Sequence, residues 1–69
     1  MNYLLKEDAS KELIEKYKNK YIADKMGISV PYASLILHRH RPVKKRIAYA
    51  FCKVINSEYE IEDLFEIVK

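Results

Sequence analysis

The sequence predicts an all-α fold, a compact bundle of five short helices. Three observations carry that prediction. One Gly and two Pro among 69 residues are few chain breakers for an all-β protein. Apolar residues recur at helical spacing nearly throughout. Hydrophobic residues make up 49% of the chain, too many for disorder at this charge. Residues 1–69 read as a single domain, without internal repeat, low-complexity stretch or linker. A chain of this size buries only about 60% of the surface it exposes when unfolded, so it folds alone with little margin.

The first segment runs from about Lys6 to Lys18, where Ala9, Leu13 and Tyr17 recur every fourth residue and Ile14 widens the stripe. Tyr3, Leu4 and Leu5 precede it and can cap the core or pair with a second chain. The second segment, about Lys20 to Met26, has Asn19 as its N-cap and Ile22, Ala23 and Met26 on one face. Gly27 ends it, at a position that often requires positive φ. The third segment starts from Ser29, a good N-cap, and covers about Val30 to His38. Pro31 sits in its first turn, where a missing N–H costs nothing, and Ala33, Ile36 and Leu37 point inward.

A basic loop and Pro42 lead to the fourth segment, about Val43 to Ile55. Val43, Ile47, Ala50, Phe51, Val54 and Ile55 make the strongest amphipathic stripe in the chain. The last segment is expected as a helix over about Ile61 to Val68, with Ile61, Leu64, Phe65 and Val68 apolar. Glu60, Glu62 and Asp63 lie at its start, where the helix dipole favours negative charge.

The net charge of +3 matters less than its distribution. Residues 1–24 mix five lysines with five acids. Residues 25–57 hold seven basic residues and no acid, and residues 58–69 hold five acids and Lys69. Five of the middle charges fall between Arg39 and Arg46, beside His38 and His40. A one-sign patch of this kind attracts polyanions. A solvated surface lacking acids and an acidic partner protein are the alternatives on charge alone.

Several classes are disfavoured. One cysteine excludes an intramolecular disulfide framework and a multi-cysteine zinc site. Cys52 reads as an ordinary half-buried thiol. His38 and His40 are two apart and lack a second ligand cluster, so no metal is expected. No acids converge with a nucleophile, so no catalytic residue is assigned and an enzyme is the least favoured class. No cofactor and no small-molecule ligand are expected in so small a core. Apolar runs are too short to span a membrane, and the N-terminus lacks the pattern of a secretory signal. The expected location is therefore cytoplasmic.

Residues 19–38, NKYIADKMGISVPYASLILH, have the spacing of a helix-turn-helix, two short helices joined by a Gly-containing turn. Ala23 is small where the two helices cross, Gly27 permits the turn, and Ile28, Ala33 and Ile36 fill the angle between them. The stretch IADKMGIS, followed by HRPVKKRIAYAFCKVINSEYEIEDLF, resembles the Cro/CI-type (XRE-like) helix-turn-helix regulators of phages and bacteria, with the lambda-repressor-like fold. The resemblance covers about Tyr17 to Phe65. In place of the Gly that usually follows the reading helix, this chain has His38 and Arg39. Either the loop avoids positive φ, or a non-Gly residue adopts it at some strain.

The resemblance implies a small Cro-like repressor that occupies a double-stranded DNA operator as a homodimer, in a bacterium or phage-infected cell. It places the second motif helix in the major groove. The implied base-contacting residues are Ser29, Val30, Pro31, Tyr32, Ser34 and Leu35. None is a Gln, Asn or Arg, the types that make bidentate base contacts, so such a surface would suit A·T-rich sites and lean on DNA shape. Phosphate contacts are expected from Asn19 and Lys20, and from His38, Arg39, His40, Arg41, Lys44 and Lys45 on the other side. The dimer contact is expected at Leu64, Phe65, Ile67 and Val68, which give more apolar surface than a short terminal helix needs. Two alternatives remain: a helix-turn-helix scaffold that binds an acidic protein, as an antirepressor would, and a nonspecific architectural DNA binder.

Overall fold

The computed structural model describes residues 1–68. In chain order the elements are β1 (Asn2–Leu5), α1 (Glu7–Lys16), α2 (Asn19–Met26), α3 (Val30–Leu37), α4 (Lys45–Ile55), α5 (Ile61–Leu64) and β2 (Phe65–Val68). The all-α expectation is therefore corrected: five helices are joined by a two-stranded antiparallel sheet, an α+β fold. Asn2 pairs with Val68, Tyr3 with Ile67, Leu4 with Glu66 and Leu5 with Phe65. Val43, expected to open the fourth helix, instead forms a bridge with Tyr3 on the other side of β1.

The last helix stops at Leu64 because Phe65 is extended, at φ −119° and ψ 153°. Ile61, Leu64, Phe65 and Val68 are spaced as well for a helix as for any alternative, but an isolated eight-residue helix is marginal in water. Pairing with β1 supplies the same backbone hydrogen bonds and seats β-branched Ile67 and Val68 in a strand. A short reciprocal cap holds what remains of the helix. Glu60 and Asp63 exchange side-chain and backbone bonds across the turn.

The core gathers around Phe51, Leu5, Ile22, Ile36, Leu37 and Cys52, all essentially inaccessible to solvent. Phe51 meets Phe65 edge to face, with ring centroids 5.5 Å apart. The buried stripe of α4 is Ala48, Phe51 and Cys52, rotated from the expected one, and Ile47, Ala50, Val54 and Ile55 lie on its flanks. Small Ala and Cys carry little hydrophobic weight in a sequence, yet they let the helix approach its neighbours. Cys52 is accordingly fully buried. Ile14 is on the exposed side of α1. Ser10 is the one buried polar residue among those described, and its hydroxyl donates to the Leu37 carbonyl at the end of α3.

Candidate nucleic-acid interface

α2 and α3 are joined by residues 27–29, and the turn is built as the sequence requires. Gly27 has φ 71° and ψ 33°, the left-handed conformation that lacks a steric cost only for Gly. The N–H groups of Gly27 and Ile28 both end on the Ala23 carbonyl. The Ser29 hydroxyl accepts the Tyr32 N–H at 3.2 Å, capping α3, and Pro31 occupies its first turn. Ala33, Ile36 and Leu37 are buried, and this fixes which side of α3 faces outward.

That outward side carries Val30, Pro31 and Leu35, with Ser29 exposed at its start. Val30 is 42% and Leu35 37% exposed, large fractions for aliphatic residues, and no other described residue covers these outer faces. Ser34 is half-buried on one flank. Tyr32 packs partly on the core, and the Arg41 guanidinium lies 5.4 Å from its ring centroid. The six residues expected to reach bases thus lie on one helix, four of them exposed and two on the flanks.

Basic groups stand at both ends of this surface. Lys20 is exposed and Asn19 half-buried in the first turn of α2, where free N–H groups add to the positive potential. Beyond α3, His38, His40, Arg41, Lys44 and Lys45 are all exposed. The loop stacks the His38 and His40 rings, with centroids 6.3 Å apart, although their spacing places them on no shared helical face. Among the described residues no third His, Cys, Asp or Glu joins them to form a metal-binding group.

Arg39 departs from its expected role. It takes φ 60°, so of the two outcomes left open for this loop a non-Gly residue accepts the left-handed conformation. Its side chain turns onto the sheet. Nε donates to the Leu5 carbonyl at 2.7 Å, and the guanidinium pairs with Glu66 at 3.0 Å. The charge of Arg39 is thus engaged by β1 and β2. Leu64 and Phe65 also depart from expectation. Both are buried in the protein's own core, so of the four residues expected at a dimer contact only Ile67 is exposed, with Val68 half-buried.

One group was missed in the sequence although its spacing was readable. Tyr17, Tyr21 and Lys25 recur every fourth residue. The two tyrosine rings stack at 5.4 Å, and the Lys25 ammonium lies 5.7 Å from the Tyr21 centroid. The ladder crosses the junction of α1 and α2, beside exposed Lys18 and Lys20. Burial pushes the Cys52 thiol up to about 11, so it is neutral at ordinary pH and no nucleophile.

No protein-family model, curated protein or solved structure matches this chain. Among the described residues no helix is long and apolar enough to cross a membrane.

Proposed function

We propose that this protein binds double-stranded DNA sequence-specifically and regulates transcription by occupying an operator as a homodimer, as a small Cro-like repressor does. The observation that carries the reading is α3 itself. Its inner side is buried, and its outer side presents Ser29, Val30, Pro31 and Leu35 between two groups of exposed basic residues. A helix so placed fits a major groove, with Val30 and Pro31 against thymine methyl groups and Ser29 and Ser34 as hydrogen-bonding groups. Lys20 at one end and His38, His40, Arg41, Lys44 and Lys45 at the other would then neutralise phosphates on either side of the groove.

Selection of bound duplexes from a random library at physiological salt tests the reading, because nonspecific binding is weak there. The expected result is an inverted repeat rich in A·T at the contacted positions, with half-sites about one helical turn apart. Binding without enrichment would favour an architectural role. No binding even at low salt would overturn the DNA reading and favour a scaffold for an acidic protein.

A further inference from the structure

Among the described residues the two-stranded sheet has one closed edge and one open edge. The closed edge belongs to β1. Tyr3 exchanges both its backbone hydrogen bonds with Val43, at 2.7 and 2.8 Å, and the Leu5 carbonyl accepts from Arg39. In an antiparallel pair the N–H and C=O of one residue point to the same side. Tyr3 therefore faces away from β2, and its partner Ile67 faces away from β1. The Ile67 N–H and C=O point out of the sheet on the free side of β2.

The side chain of Ile67 is 56% exposed, more than any other large apolar side chain within a described helix or strand. Beside it runs a groove lined by Tyr3, Lys45, Ile61, Glu62, Phe65 and Ile67. Free edges are guarded by a very short strand, a proline, a bulge or an inward-pointing charge. Of these β2 (Phe-Glu-Ile-Val) has only its four-residue length; its one charge, Glu66, alternates to the opposite face and is engaged by Arg39.

We infer that the open edge of β2 is the seam of a homodimer, each copy pairing antiparallel with the other about Ile67. The two Ile67 residues would exchange two backbone hydrogen bonds across the axis, and the pair of two-stranded sheets would become one four-stranded sheet. Opposed residues of an antiparallel pair share a face, so the two exposed Ile67 side chains would cover each other. A second copy is the occupant that the charge pattern selects. A groove bearing one lysine and one glutamate is self-complementary under a two-fold axis, which sets Lys45 toward the partner's Glu62 and the reverse, and in the dimer takes Lys45 out of the phosphate-contacting set. The inference rests on the operator reading for its purpose. It also moves the contact from the terminal helix and core residues to a strand edge.

Sedimentation of the full chain without DNA tests it, with thermal melting of each variant to verify folding. The wild type should dimerise reversibly. Ile67→Pro removes the central N–H, and Ile67→Lys places a charge on the axis. Each should weaken the dimer by at least about tenfold in Kd. Both substitutions fall at an exposed edge position, where a folded monomer tolerates them. Lys45→Glu and Glu62→Lys should each weaken association, and the double variant should restore it. A wild type that stays monomeric at high concentration overturns the seam, as does a dimer unaffected by folded Ile67 variants. Duplex binding is measured separately. A dimer that binds no DNA refutes the operator reading and leaves the seam standing. A monomer that selects a single half-site refutes the seam and the homodimer and leaves sequence-specific DNA binding standing.

Discussion

Arg39 combines a conformational cost with two anchoring contacts, and replacing it separates them. Arg39→Ala keeps the left-handed backbone and removes both contacts. A charge-assisted hydrogen bond such as that to the Leu5 carbonyl contributes about 1.5–3 kcal/mol when buried, and partial exposure lowers this to about 1–2. The pair with Glu66 is open to solvent and adds about 0.2–1 kcal/mol. Arg39→Ala should therefore destabilise the protein by about 1–3 kcal/mol. Arg39→Gly loses the same contacts but relieves about 1–2 kcal/mol of left-handed strain. Part of that relief, about 0.4–1 kcal/mol, is offset by the freer unfolded chain that Gly allows. The Gly variant should therefore be less stable than wild type but more stable than the Ala variant by about 0.5–1 kcal/mol. In a domain of this size 1 kcal/mol moves Tm by about 4–8 °C, so the order is measurable by thermal or urea denaturation. The same variants test the DNA surface. Arg41→Ala should reduce the salt slope of duplex binding by about 0.9, whereas Arg39→Ala should leave it unchanged. A Gly variant at least as stable as wild type would show that the contacts to β1 and β2 contribute no more than the net gain of about 0.5–1 kcal/mol from Gly, which refutes the larger anchoring contribution. A salt slope lowered by Arg39→Ala would return this residue to the phosphate surface.

Three further outcomes follow from the structure. Gly27→Ala should cost about 0.5–1 kcal/mol, because a methyl group there meets open space and only the positive φ opposes it; a loss well above 2 kcal/mol in urea denaturation would point to a missed clash. Ser10→Ala leaves the buried Leu37 carbonyl without its side-chain donor and should cost about 1–3 kcal/mol, with loss of amide-exchange protection at the end of α3. Cys52 should react with thiol reagents only as fast as the protein opens. Its raised pKa keeps the neutral thiol folded, so the linked stability is full below about pH 9 and declines as pH rises toward about 11. Fast labelling of folded protein at neutral pH would contradict the burial of this thiol.

The pair of α2 and α3 with its turn was legible in the sequence because its determinants are local. Ser29 as a cap, Pro31 in the first turn and Gly27 at positive φ each act within a few residues, and the two helices lie within a residue of the expected bounds. The outward set on α3 was readable for the same reason, since burial of Ala33, Ile36 and Leu37 leaves only one side free. The sheet was not. Four-residue runs such as Asn-Tyr-Leu-Leu and Phe-Glu-Ile-Val are too short for periodicity to separate strand from helix. Their pairing joins opposite ends of the chain.

Sequence alone determined α2, α3 and the turn between them, the basic middle of the chain and most of the apolar core. Tertiary structure decided where the last helix stops, which side of α4 is buried and where the charge of Arg39 goes. Each of those outcomes depends on a partner distant in the chain. Phe65 is a strand residue because β1 lies beside it, and Arg39 turns inward because Leu5 and Glu66 are within reach. Local propensity is nearly balanced at such positions, so contacts between distant segments choose the conformation.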